Sequence, residues 1–233
     1  MTSHPALETP EQRETPDKLE APEKRPLLKD RAYEALKQLI LGETFAGGTF
    51  LSERGLVARL GMSKTPIRAA LERLEHEGFV TVSPQQGIVV REFSLAETID
   101  LFDIRVALES FVVSRLAGQL SLAQIAALEH NLAQQSERVE AGDVPGMTEP
   151  DAQFHLLLCE FLGNREIVST MRGLRDKLFR VVFRVSSGRR DRVAEALREH
   201  RAIFAALVDG DGVAAAQRMQ NHLEYGKRFL LSR

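Results

Sequence analysis

The sequence predicts a mainly α-helical protein, in which an N-terminal winged helix-turn-helix of three helices and a β-hairpin is followed by an all-α antiparallel helical bundle. Three amphipathic segments and two apolar runs around a turn fill residues 27–93. From Ser94 onward, apolar residues recur at helical spacing in six segments separated by breaks, most of which contain glycine. Short connections favour antiparallel neighbours, which predicts the bundle.

The composition limits where the protein works and what it can bind. A chain of 233 residues with 43% hydrophobic side chains can fill the cores of two ordinary domains. The formal net charge is -2, so a nucleic-acid partner requires a local basic patch. The single cysteine, Cys159, excludes an internal disulfide, and no apolar run approaches the roughly 20 residues that cross a bilayer. We expect a cytoplasmic protein that does not enter the membrane.

Three regions follow one another along the chain. Residues 1–26 contain five of the nine prolines and few large apolar groups, which predicts a disordered tail. Residues 27–93 form the predicted DNA-binding domain, with the helix-turn-helix at about 53–72. The six-helix domain spans residues 94–233, and its later helices are expected at about 150–162, 166–185, 192–208 and 213–230.

The third predicted helix, within "SKTPIRAALERLEHEGFV" (residues 63–80), carries polar groups on its first turn. Capping by Ser63 or Thr65 on an ordinary solvated face is one explanation. The other is contact with DNA, because a helix-turn-helix directs its helix starts toward phosphates and base edges. The candidates at the two helix starts are Arg54, Lys64, Thr65 and Arg68. Arg68 is the best candidate for reading a base, since arginine can donate two hydrogen bonds to a guanine.

A second group of residues has the composition of a metal site. Asp151 and His155 in "DAQFH" are four residues apart, so both can point to one side of a helix. His200 and His222 lie on the last two predicted helices. One carboxylate and three imidazoles suit a borderline divalent ion such as Zn, Ni or Mn. Three histidines from distant segments can also coincide by chance, as core or surface residues.

The stretch "LSERGLVARLGMSKTPIRAALERLEHEGFV" resembles the DNA-binding signature of the GntR family of bacterial transcription regulators. The helical region after it resembles the FadR C-terminal (FCD) effector domain, and the resemblance spans about residues 28–230. It implies that Arg54, Ser63, Lys64, Thr65 and Arg68 face DNA, with Gly87 at the wing tip reaching the minor groove. The metal-binding branch of this effector domain carries Asp, His, His and His in the contexts of Asp151, His155, His200 and His222.

Arg105, in "DIRVALES", has two interpretations. It can simply pair with Glu109 one turn further on, which on a surface contributes a few tenths of a kcal/mol. In proteins of the family that the chain resembles, an arginine here helps to hold a ligand carboxylate near the metal. The resemblance therefore implies that Arg105 binds the effector.

These patterns predict a homodimeric, sequence-specific regulator of transcription, more often a repressor in this family. Its bundle would bind a divalent metal and a small carboxylate effector, and so alter the affinity for double-stranded operator DNA. The alternative is a metal-dependent hydrolase or isomerase built on the bundle, with an accessory N-terminal domain. Against the enzyme, the acids near the motif, Glu149 and Glu160, have no spacing that places a general base over the metal.

Overall fold

The computed structural model describes residues 27–83, 87–186 and 190–232, and these form nine helices and three short strands. The predicted tail, residues 1–26, lies outside this part of the chain. The elements in order are α1 (Leu28–Leu41), β1 (Phe50–Leu51), α2 (Glu53–Leu60), α3 (Lys64–His76), β2 (Val80–Ser83), β3 (Gly87–Val90), α4 (Leu95–Leu116), α5 (Leu122–Ala141), α6 (Val144–Leu162), α7 (Arg165–Ser186), α8 (Arg190–Val208) and α9 (Gly212–Leu231). The prediction of a mainly α fold is confirmed.

The first part of the chain, from α1 to β3, forms a small winged unit with its own hydrophobic core. Helix α1 packs against α3, and side chains such as Leu36 and Leu74 are fully buried between them. Ser52 caps α2 by accepting a hydrogen bond from the backbone N–H of Gly55 at 3.1 Å. Gly61 then ends α2 in the left-handed conformation, with φ 63°, which glycine adopts without strain. These local signals set the turn between α2 and α3.

The wing is a three-stranded antiparallel sheet, where the sequence predicted only a hairpin. The strand order is β1-β3-β2, and Phe50 of β1 lies opposite Val89 of β3. A strand of two residues leaves no period-two pattern in the sequence, and its partner lies almost 40 residues away. Strand β1 therefore forms because residues 50–51 pair with β3. The hairpin turn itself, residues 84–86, falls outside the described residues.

The second part of the chain, from α4 to α9, is a bundle in which α4 packs along α9 and α6 lies beside α5 and α7. Ser94 and Ser121 both form complete capping boxes at the starts of α4 and α5, as their sequence context predicts. Helix α6 begins at Val144, six residues before the predicted start, because Asp143 caps it and Pro150 is accommodated inside it. None of the helices in the described ranges is long and apolar enough to cross a membrane.

Helix α7 joins the bundle to the winged unit. Lys37 of α1 lies 2.6 Å from Asp176 of α7, and Phe179 packs against the core of the winged unit. Lys37 also lies 3.2 Å from Glu77, just beyond α3. One lysine therefore contacts acids on both sides of the junction.

Candidate metal centre and DNA-reading surface

Three histidines from three helices meet in the interior of the bundle. His155 of α6, His200 of α8 and His222 of α9 are all buried, and one ring nitrogen from each lies within 4.8 Å of the other two. The Nε2 atom of His222 is 3.3 Å from the Nε2 atoms of both His155 and His200. Two nitrogens on one ion, with bonds of 2.0–2.1 Å, are expected roughly 3.0–3.5 Å apart. The triad can therefore hold a metal ion without rearrangement of these pairs.

The outer nitrogen of each imidazole contacts an oxygen from another part of the bundle. The Nδ1 atom of His155 is 2.5 Å from a carboxylate oxygen of Glu109 on α4. That of His200 is 2.8 Å from Oε1 of Gln135 on α5, and that of His222 is 2.6 Å from a carboxylate oxygen of Glu199 on α8. Such partners orient metal-binding histidines and raise the basicity of the inner nitrogen.

The amide of Gln135 fixes the tautomer of His200. Its Nε2 atom donates to Oδ1 of Asn131 at 2.8 Å and to the backbone oxygen of Pro150 at 3.3 Å. Its Oε1 atom is therefore left to face His200 and must accept from Nδ1–H. Glu109 and Glu199 can play the same accepting role for the other two histidines, and with all three imidazoles neutral the three Nε2 lone pairs then point at one another. Lone pairs cannot hydrogen-bond to each other, and this arrangement calls for a cation.

The electrostatics of the site favour the neutral forms of His200 and His222 and the charged form of Glu109. Burial lowers the pKa of His200 well below its usual range, and the neighbouring His222 and His155 lower it further. Burial also lowers the pKa of His222, although Glu199 opposes this. In Glu109, burial raises the pKa, but Arg105 and His155 outweigh it and bring the value to about 2. Neutral imidazole is the form that binds a metal.

Asp151, the fourth predicted ligand, lies at the edge of the triad. Its Oδ1 atom is 3.8 Å from Nε2 of His200, and its side chain is partly exposed. It lines two small cavities, of about 60 Å³ and about 30 Å³, on either side of the site. The structure thus brings all four predicted residues together, with Asp151 on the side where the ligand cavities begin.

Arg105 is a buried side chain that lines both cavities. Its Nε atom donates to Glu109 at 2.5 Å, so the pairing expected from the sequence is present, although in the interior and not on the surface. No other described residue accepts a hydrogen bond from its terminal NH₂ groups. The other carboxylate oxygen of Glu109, Oε2, contacts Nδ1 of His155. A single carboxylate therefore links Arg105 to the candidate metal site.

Sequence reasoning missed Gln135 and Glu199, which complete the environment of the histidines. Neither has a spacing that relates it to the histidine that it contacts, which is His200 for Gln135 and His222 for Glu199. The contact between Gln135 and His200 joins residues 65 positions apart, so it depends on the packing of α5 against α8. Glu199 directly precedes His200 but contacts His222, so its place in the sequence gave no signal for this contact either.

Five of the six predicted DNA-facing residues lie at the starts of α2 and α3. All of them are exposed, namely Arg54, Ser63, Lys64, Thr65 and Arg68. Ser63 occupies the N-cap position of α3, but its side chain makes no capping hydrogen bond. The capping explanation therefore does not account for this hydroxyl. Gly87, also exposed, begins β3 with φ 84°, next to the undescribed turn.

Arg68 forms an ion pair that the sequence did not predict. Its Nε atom donates to Oε1 of Glu53 at 2.9 Å, which ties α3 to the start of α2. The hydrogen bond to Glu53 raises the pKa of Arg68, and both side chains remain accessible to solvent. An exposed pair of this kind contributes little to stability, so Arg68 can exchange Glu53 for a base or a phosphate.

A winged helix-turn-helix joined to a helical bundle with an internal site defines a DNA-binding regulator of transcription. The chain belongs to the GntR family: residues 28–90 match the profile of bacterial regulatory proteins of the gntR family, and residues 100–225 match that of the FCD domain. Membership of this family makes the protein a transcription regulator and not an enzyme. The hydrolase or isomerase alternative is therefore wrong.

Individual proteins resemble the chain over most of its length. The HTH-type transcriptional regulator YdfH of Escherichia coli O6:H1 is 31% identical over 85% of this chain and 87% of its own. The HTH-type transcriptional repressor RspR of Escherichia coli K12 is 31% identical over 84% and 86%. Among solved structures, McbR/YncC of E. coli has a TM-score of 0.77 at 20% identity, covering 89% of this chain and 99% of its own. That structural likeness concerns the fold.

Proposed function

We propose that the protein is a cytoplasmic, homodimeric repressor whose affinity for operator DNA changes when a small carboxylate binds beside a divalent metal. Residues 27–93 would read DNA and residues 94–233 would sense the ligand and form the dimer. A repressing role is supported by RspR, which is named as a repressor and aligns with 84% of this chain.

The metal proposal rests on the convergence of the Nε2 atoms of three buried histidines. Asp151 supplies a fourth, anionic ligand from the cavity side. A set of three imidazoles and one carboxylate suits Zn, Ni or Mn and leaves coordination positions for an exchangeable ligand. Once bound, the ion supplies a fixed positive charge facing the two cavities, which attracts an anion.

The observation that supports a carboxylate effector is Arg105. Its guanidinium group is buried, lines both cavities, and is held in place by Glu109 through Nε alone. The terminal NH₂ groups form a planar fork that matches a carboxylate. The cavities are small, about 60 Å³ and about 30 Å³, which favours a compact ligand.

A dimer is supported by apolar side chains that α4 exposes. Ile104 and Phe111, 40% and 50% exposed, are seven residues apart and so share one face of the helix. Light scattering on the full chain tests this surface. We expect Phe111→Glu to yield a monomer and Leu122→Glu, at the exposed start of α5, to remain a dimer. A dimer of unchanged affinity in Phe111→Glu places the interface elsewhere.

Metal content and DNA binding test the whole proposal. Protein purified without chelator should contain one divalent ion per chain by elemental analysis, and His200→Ala should contain none. A duplex selected from a random library by the wild type should bind with a strong preference over its scrambled form. If the wild type is purified without metal and cannot be loaded with Zn, Ni or Mn, the metal site is refuted. If the wild type binds the selected duplex and its scrambled form equally well, the DNA-reading role is refuted.

A further inference from the structure

The smaller of the two cavities is a slot between α6 and α7. Thr148, Asp151 and His155 line it from α6, at spacings of three and four residues that place them on one helix face. Met171 and Arg175 line it from α7, and Arg105 lines it from α4. The slot therefore opens directly onto the candidate metal site.

Two arginines line this slot, but only one acid does. The acid is Asp151, which is already assigned to the metal. The remaining lining residues are mostly apolar. Both arginines already have a carboxylate partner outside the slot, Glu109 for Arg105 and Glu149 for Arg175. A small pocket with apolar walls and two guanidinium groups nevertheless favours an anion, because each guanidinium has more donors than one carboxylate contact uses.

Arg175 is the residue of the slot that has a fully buried donor without a partner among the described residues. Its Nη2 atom forms an ion pair with Glu149, a carboxylate that is 59% exposed. Its Nε atom is buried and has no hydrogen-bond partner among the described residues. Leaving a buried donor unsatisfied is unfavourable, and a carboxylate that accepts from Nε and one terminal nitrogen removes the penalty.

Arg192, which lines the other cavity, provides a contrast. It donates to Glu199 at 3.0 Å and lies over the ring of Tyr225, 4.7 Å from its centre. Glu199 also orients His222, so Arg192 belongs to the support of the metal site. Arg175, in contrast, pairs with Glu149, which contacts none of the three histidines among the described residues.

Arg175 also lies where a ligand would enter. Together with Phe179 it lines a much larger cleft, of about 640 Å³, between α1 and α7. Glu149, its present partner, lines the cleft but not the slot. Arg175 thus stands between the cleft and the slot, where it can exchange Glu149 for an incoming anion.

We propose that Arg175 is a second anion-binding residue of the effector site and that the effector is a short dicarboxylate. One carboxylate binds at the metal and Arg105, and the other binds Arg175 in place of Glu149. This assignment rests on the carboxylate site proposed above, and it specifies that the ligand has two carboxylate groups.

Calorimetric titration of the full-length, zinc-loaded protein with succinate and with butyrate tests this proposal. The two probes have four carbons each and differ in the second carboxylate. We expect the wild type to bind succinate about tenfold to a hundredfold more tightly, the range for one charge-assisted interaction. Arg175→Gln should bind both probes equally, and Arg175→Lys should keep part of the preference.

Arg172→Gln is the matched control, because Arg172 lies on the same helix and pairs with Glu160 on the surface. It should retain the full preference for succinate. An undiminished preference in Arg175→Gln overturns the proposal. Equal affinity of the wild type for succinate and butyrate also overturns the dicarboxylate proposal, but it does not contradict the carboxylate site. That site is confirmed if Arg105→Gln weakens the binding of both probes. If neither probe binds the wild type, both the dicarboxylate proposal and the proposed carboxylate effector fail.

Discussion

Lys37 of α1 and Asp176 of α7 form an ion pair of 2.6 Å between the winged unit and the bundle. Burial opposes the charged form of Lys37, but hydrogen bonds with Asp176 and Tyr33 outweigh it and raise its pKa. Asp176 lies one residue beyond Arg175, and Phe179 on the same helix borders both the slot and the core of the winged unit. Helix α7 therefore connects the ligand cavities to α1, which packs on the DNA-reading helix.

We predict that this pair couples the stability of the two units. In a double-mutant cycle with Lys37→Met and Asp176→Asn, the interaction energy should be about 0.5–3 kcal/mol, as for other residues in direct contact. Calorimetry of Asp176→Asn should show the winged unit melting at a lower temperature, with metal content unchanged. Asp103→Asn, which breaks the ion pair with Lys227 inside the bundle, is the control. Identical melting curves for the two variants contradict the prediction.

Arg68 and Glu53 should have opposite effects on operator binding. Arg68→Ala is expected to weaken specific binding by about 1–3 kcal/mol, because it removes a base contact. Glu53→Gln should strengthen binding, since it releases Arg68 and removes a negative charge near the DNA. Fluorescence anisotropy at fixed salt measures both. Arg73→Ala, at the far end of α3, should change affinity less than Arg68→Ala, and equal effects of the two substitutions would argue against base reading by Arg68.

Gln135 should matter to metal affinity although it is not a ligand. Gln135→Leu removes the acceptor that orients His200, and such changes weaken metal binding about 10- to 100-fold. Its neighbour Gln134 is exposed, so Gln134→Leu makes the same chemical change away from the site. Competition with a zinc-binding dye provides the affinities. Equal zinc affinities of the two variants would show that His200 needs no such support.

Glu77 should make the winged unit sensitive to acid. It accepts a hydrogen bond from Tyr33 at 2.7 Å and from Arg73 at 3.1 Å. Burial raises its pKa, but Tyr33, Lys37 and Arg73 outweigh this and lower it. Because the folded value lies below that of the unfolded chain, this stabilisation is present above about pH 4.5 and is lost as the pH falls further.

Urea unfolding at several pH values between 6 and 3.5 checks the prediction. Glu77→Gln should be less stable than the wild type at pH 6, and its stability should decrease less on acidification. Glu72→Gln, on the exposed face of α3, should follow the wild type. A parallel loss of stability in the wild type and Glu77→Gln would assign the acid sensitivity to other groups.

Much of the fold could be predicted because its signals are local. Apolar periodicity located the helices, and the capping boxes at Ser94 and Ser121 marked two of their starts. The early start of α6 was missed because Pro150 was treated as a boundary, although the cap at Asp143 decides where the helix begins. Strand β1 was missed because its only support is the distant β3.

The sequence by itself determined the residue types and helix faces that carry function: a polar start to α3, and an acid and three histidines at positions that can face the bundle interior. Only the tertiary structure decided that three Nε2 atoms converge, that Glu109, Gln135 and Glu199 fix their lone pairs, and that Arg68 rests on Glu53. The physical reason is the separation along the sequence of the residues that interact. Helix formation depends on neighbours within a few positions, whereas these contacts form only when packing joins residues from 15 to 67 positions apart.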